Sequence, residues 1–149
     1  MNELELFIEQ RSIDAEVIEL NGKTNTVSQA ASSLNTDKKN IIKSLVIKAG
    51  EEKIVTVLRG DKRADFERIA EEFEVEDVNM ASRKEVKRVT GYDVGEVPPV
   101  GTGLKKVVDK EVLERDIVFG GGGGRKKMIK IDPRFIVDED TVVSKVSED

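Results

Sequence analysis

The sequence has no cysteine and no histidine. Without cysteine there is no disulfide framework, no thiol nucleophile and no thiolate metal site, and without histidine the commonest general base and the commonest zinc ligand are gone. Lysine, carboxylate, hydroxyl and backbone chemistry remain. Oxygen-ligated magnesium is possible but no tight carboxylate motif supports it, and no cofactor motif stands out. No run approaches the roughly 20 apolar residues of a membrane span, and Met1 leads into an acidic amphipathic segment rather than a basic, apolar signal. A cytoplasmic protein with no membrane contact is expected.

Aromatic residues make up only 4% of the chain, whereas 37% of its residues are charged and 38% hydrophobic. Apolar residues nevertheless recur along its whole length, so a single domain spanning 1–149 is expected, with fraying at the terminal Ser147-Glu148-Asp149. A net charge of -5 argues against a protein wrapped in phosphate contacts. The charge is uneven, however: residues 81–130 hold 12 Lys and Arg against 7 Asp and Glu, a net +5, which leaves -10 elsewhere. Local contact with a polyanion and an ordinary solvated surface are both compatible with that stretch.

Leu4, Phe7 and Ile8 behind Asn2 predict a short amphipathic helix, followed by a strand over Ala15 to Leu20 and a turn at Asn21-Gly22. Thr26-Val27-Ser28-Gln29 reads as a capping box that opens a helix carrying Ala30, Ala31 and Leu34. Ser44 to Lys48 and Ile54 to Leu58 predict a hairpin turning near Gly50. A third helix carries Phe66, Ile69, Ala70 and Phe73, and a fourth, capped by Ser82, ends near Gly91. Residues 91–103 hold four glycines and two prolines in thirteen positions, which makes a shaped loop. Strands follow at Val107-Val108, Ile117 to Phe119 and Met128 to Ile131, the last two joined across Gly120 to Gly124. A short helix begins at Asp132-Pro133 and a last strand covers Thr141 to Val146. This irregular alternation predicts an α/β (α+β) fold with a mixed sheet flanked by helices rather than a doubly wound parallel sheet.

Three features could carry chemistry. If Ile41 to Ile47 is extended, Lys43 shares the core-facing side with Ile41, Leu45 and Ile47, where an ammonium must snorkel, find an anion or lose its proton. The alternative is a junction at Asn40 to Ser44 that turns Lys43 to solvent. Gly95-Glu96-Val97-Pro98-Pro99 joins a conformationally free residue to two with fixed φ, so it can hold amides in a rigid array aimed at an oxyanion, or be a plain connection. Gly120 to Gly124 lacks the Lys-Ser or Lys-Thr of a phosphate loop; it reads as a flexible hairpin tip or as room for a ligand backbone or ribose, with Arg125, Lys126 and Lys127 adding positive charge.

In order along the chain, Ser28-Gln29-Ala30-Ala31, Ile42-Lys43-Ser44-Leu45-Val46, Thr90-Gly91, Gly95 through Pro99-Val100-Gly101, and the Gly120 run resemble the YbaK-type, prolyl-tRNA-synthetase-associated editing domain family. The resemblance covers about residues 1–140 and implies a mixed, barrel-like sheet surrounded by helices. It also implies metal-free hydrolysis of mischarged aminoacyl-tRNA in trans, with an aminoacyl-tRNA synthetase as a second partner. By the same resemblance, Lys43 and Gly95 carry the catalytic roles, with Lys43 as an anchor for the terminal nucleotide. Ser44, Gly91, Pro98, Pro99, Gly101, Gly121 and Gly122 shape the substrate site. The implied substrate is a small amino acid such as alanine, cysteine or serine on the tRNA for proline or a similar one. The chain departs from the family at Met128, where some members carry an aspartate, and at Pro98, where serine is frequent. A non-catalytic module that binds tRNA ends or a synthetase is the alternative, and a general small-molecule-binding domain is a third reading.

Overall fold

The Asn2 side chain accepts the Glu5 amide at 2.8 Å while the Glu5 carboxylate accepts the Asn2 amide at 3.4 Å, and this closed capping box starts α1 (Glu3–Gln10). The computed structural model describes residues 2–22 and 25–149. Strand β1 (Ala15–Glu19) leads to α2 (Val27–Leu34), where only half of the expected capping box forms. Thr26 accepts the Gln29 amide at 3.0 Å, but the Gln29 side chain takes the Asn25 amide rather than that of Thr26.

The predicted hairpin is β2 (Ile42–Ala49) and β3 (Glu52–Arg59), with Gly50 in the left-handed region at the turn. Then come α3 (Phe66–Phe73), β4 (Val78–Met80), α4 (Arg83–Thr90), β5 (Lys105–Asp109), β6 (Val118–Gly121), β7 (Lys127–Ile131) and β8 (Val142–Ser144). One sheet runs β1-β7-β6, all antiparallel. The other runs β4-β2-β3-β5-β8, in which β3-β5 and β5-β8 are parallel. The expected mixed α/β (α+β) architecture is present, and its barrel-like character takes the form of two sheets that do not close. A single parallel bridge, Ile41 to Phe119, marks the seam between them.

Alternation along β2 divides the core. Ile42 joins Val55, Val57, Val108, Val118, Ile129 and Ile131 in the layer between the sheets, closed at one end by Leu4 and Ile8 of α1. Leu45, Ile47 and Ala49 face the other way, with Ile54 and Val107, and are covered by Ile69 and Phe73 of α3. Ile41 and Phe119 form a smaller cluster under Ala30 and Ala31 of α2. Each fully buried valine or isoleucine in these layers contributes about 1.5–3 kcal/mol.

Two expectations are corrected. The C-terminal tail does not fray: Ser147 is fully buried, its amide and that of Val146 each donate to Asp109 Oδ2 at 2.8 Å, and the Glu148 amide reaches the Arg63 carbonyl at 2.8 Å. The glycine run is not all hairpin tip, because Gly120 and Gly121 continue β6 and pair with Ile129 and Met128. Strand β4 was not anticipated. It is three residues long with no residue fully buried, too short for alternation to register.

Candidate functional site

Lys43 stands in β2 opposite Leu58, half-buried, on the face of Leu45 and Ile47 as alternation predicts, and is not turned to solvent by a kinked junction. Its position along that face is specific. Ile41, before it, lies under α2, while Leu45 and Ile47, after it, lie under α3, so Lys43 emerges between the two helices. Burial lowers its pKa from the usual lysine value; Asp61 opposes that shift and Arg63 adds to it. Asp61 is itself held by Arg59 through bonds of 2.9 and 2.6 Å. Among the described residues, no carboxylate forms an ion pair with Lys43 and no acceptor takes a hydrogen bond from it.

The loop expected to present amides is fastened at several points. Gly95 has φ 87°, a conformation that favours glycine, with open space where a side chain would be. The Glu96 amide donates to the Asp93 carbonyl at 3.0 Å, and the Glu96 carbonyl accepts the Gly123 amide at 3.0 Å. Val97 packs with Val46, Ala81 and Val86, and Pro98 and Pro99 are both buried. The amides of Gly95 and Val97 form no hydrogen bond with another described residue.

Strand β6 passes so close to this loop that side chains are excluded from it. A Cβ on Gly120 would lie 2.9 Å from the Ile42 side chain and 3.7 Å from Pro99, whereas one on Gly121 would overlap the Val97 carbonyl. A Cβ on Gly122 would fall 2.6 Å from the main chain of Lys127 and Met128. Gly120 therefore makes room for the Ile42 side chain, and Gly121 and Gly122 for the protein's own backbone, an alternative that the sequence reading did not weigh.

Register brings the ammonium and the loop to one side of the seam. Ile41 and Phe119 are bridged and share a cluster, so two residues on along each strand Lys43 and Gly121 also share a face, and on Gly121 that face meets the main chain of Glu96 and Val97. Ser44 points to the opposite face with Ile42 and Val46; its hydroxyl is buried without a partner among the described residues.

Two of the expected site residues lie elsewhere. Gly91 is the left-handed C-cap of α4, with φ 82°, and that position explains its identity. Gly101 sits under the Phe7 ring, 3.3 Å from a notional Cβ, and lines a cavity of about 840 Å³ bounded by α1, residues 101–106 and residues 138–142. A second cavity, about 440 Å³, lies between Asn40, Arg115, Phe119 and Lys130. Neither of these cavities is lined by Lys43 or Gly95. Among the described residues no group of three or more acidic side chains is arranged to hold a metal ion, and no helix is long and apolar enough to cross a membrane.

The sequence reading missed Lys106, whose ammonium donates to the Pro99 carbonyl at 3.1 Å. Its signal was available. Lys106 alternates with core residue Val108 and so meets the criterion that singled out Lys43.

Residues 22–138 match the model of the aminoacyl-tRNA editing domain family. The proline–tRNA ligase of Desulfotalea psychrophila is 26% identical over 135 residues, covering 91% of this chain and 23% of the ligase. That of Lactobacillus acidophilus is 27% identical over 120 residues, covering 77% of this chain and 21% of the ligase. The chain thus spans less than a quarter of these relatives' length. Among solved structures, the hypothetical protein APE2540 is 32% identical with a TM-score of 0.90, covering 99% of this chain and 100% of that one. A candidate trans-editing enzyme for prolyl-tRNA synthetase shares the fold, with 24% identity, a TM-score of 0.90 and coverage of 99% and 96%.

Proposed function

The chain belongs to the aminoacyl-tRNA editing domain family, and from that premise we propose that it hydrolyses the ester of a mischarged aminoacyl-tRNA, acting in trans and without a metal or cofactor. The observation that carries this reading is the half-buried Lys43, without an ion pair or hydrogen bond among the described residues, on the same side of the seam as the main chain of Glu96 and Val97. Water adds to the ester carbonyl, the bond to the terminal ribose oxygen breaks, and that oxygen leaves with a proton as free amino acid and uncharged tRNA separate. The ester is already labile, so positioning and charge stabilisation suffice without a protein nucleophile. Lys43 anchors the terminal nucleotide, and the free amides of Gly95 and Val97 receive the developing oxyanion. Ser44, Pro98 and Pro99 shape the wall behind them, while Gly121 and Gly122 act through the main chain, Gly121 by letting the loop come close to β6 and Gly122 by letting the hairpin close on itself.

The matched proline–tRNA ligases favour the tRNA for proline as the carrier, and a small acyl group such as alanine, cysteine or serine suits a loop this closely packed. An aminoacyl-tRNA synthetase is the natural second partner, and the cytoplasm the place of action. A panel of mischarged tRNAs offered to the wild type and to Lys43→Ala tests the reading. Hydrolysis by the wild type that is lost in the variant supports it. Binding without turnover on every pair favours the non-catalytic module, a reading encouraged by Met128, which lies opposite Gly121 where some members carry an aspartate.

A further inference from the structure

Strand β5 places Lys106 opposite Val55 and on the same face as Val108, two residues of the layer between the sheets, so its aliphatic stem crosses core and only its ammonium needs a polar partner. That partner is the Pro99 carbonyl at 3.1 Å. Apart from the packing of Val97 and the burial of its prolines, the loop is held by few hydrogen bonds. Neither Pro98 nor Pro99 has an amide hydrogen to donate, and among the described residues two hydrogen bonds tie residues 95–99 to distant parts of the chain: the Glu96 carbonyl to the Gly123 amide, and the Pro99 carbonyl to Lys106. The first attachment lies between the two free amides, at Glu96, and the second two residues beyond Val97, at Pro99.

Lys106 also lines the cavity of about 840 Å³, together with Phe7, Arg11, Gly101, Asp138 and Thr141. Asp138 favours the charged form of Lys106 against the effect of burial. A charged donor forms a stronger hydrogen bond than a neutral one, so this contact is suited to fixing a main-chain carbonyl.

We propose that Lys106 is a positioning residue for the editing reaction, tethering the Pro99 carbonyl so that the loop from Gly95 to Pro99 keeps its amides aimed at the substrate. The proposal rests on the hydrolytic reading above, but the tether itself can be observed without turnover. Lys106→Met keeps the stem and removes the ammonium; Lys106→Arg restores a charged donor.

The test measures deacylation and backbone hydrogen exchange on the full chain. In Lys106→Met, kcat is expected to fall roughly tenfold with KM within about twofold, and Lys106→Arg to recover most of the loss. Exchange at the hydrogen-bonded amides of Glu96 and Gly123 is expected to quicken about tenfold while residues 54–58 stay as slow as in the wild type. Unchanged kcat and exchange in Lys106→Met overturn the proposal, as does acceleration spread evenly through the core strands, which would make Lys106 a general stabiliser. Wild-type protein inactive on every charged tRNA defeats the hydrolytic reading instead. Exchange over the loop then still upholds the tether if it quickens in Lys106→Met, and overturns it if it does not.

Discussion

Gly121 lies so close to the Val97 carbonyl that a single methyl group would overlap it. The two residues join a strand of the smaller sheet to the loop that bears the proposed oxyanion donors, so this contact sets how near the loop comes to the seam. Gly121→Ala is therefore expected to push the loop outward, costing about 1–3 kcal/mol in urea unfolding and lowering deacylation. Gly103→Ala is the control. It meets no atom within 4 Å but has φ 77°, so it is expected to lose about 1 kcal/mol from backbone strain alone with hydrolysis unchanged.

Asp109 is the buried anchor of the C-terminal tail. Its Oδ1 accepts the Glu111 amide at 2.8 Å, and its Oδ2 accepts those of Val146 and Ser147. Asp109→Asn replaces one acceptor oxygen with a donor, leaving at least one amide without a partner at a cost of about 1–3 kcal/mol. Limited proteolysis is expected to clip the variant near residues 145–149 while the wild type resists.

Helix α4 carries a pH-dependent contribution at its first turn. The Ser82 amide and hydroxyl, with Lys48 at 3.4 Å, hold the Glu85 carboxyl at about 2 rather than its ordinary 4.5. A carboxyl lowered on folding stabilises the fold above its unfolded value, and that contribution is lost as pH falls from 4.5 towards 2. Ser82→Ala is expected to cost about 1 kcal/mol at neutral pH and to flatten part of this acid dependence. Urea midpoints measured from pH 6 down to 2.5 check both.

Local signals were legible where a few neighbouring residues settle the outcome. Asn2 and Ser82 formed closed capping boxes, Gly91 ended α4, and β2 and β3 paired as a hairpin, because each depends on contacts three or four residues away or on simple alternation. What failed were features decided by distant partners. Ser147 looked like a free tail until Asp109, far back in the chain, captured its amide. The glycines at 120–122 looked like a hairpin tip or a ligand's allowance, but it is the approach of Ile42, Val97 and Lys127 that requires them. Lys43 was found by alternation, whereas Lys106, subject to the same rule, was hidden inside a run of positive charge.

Lys43 sets activity against stability. Burial lowers its pKa below the usual 10.5, and Arg63 lowers it further, so the folded state disfavours its charged form despite Asp61. At neutral pH the unfolded chain holds that proton more comfortably than the folded one, and the fold carries the full penalty below the folded pKa. The penalty is relieved as pH rises from the folded pKa towards 10.5, where the unfolded state also gives up the proton. Lys43→Met removes the charge but keeps an apolar stem. Its urea midpoint is expected to exceed that of the wild type at pH 7, with the gap narrowing as pH approaches 10.5. Deacylation should move in the opposite direction, with kcat/KM falling by roughly 100-fold, the typical effect of losing one preorganised electrostatic group. A variant that loses both stability and activity would instead make Lys43 part of the scaffold, with its ammonium satisfied by contacts within the fold.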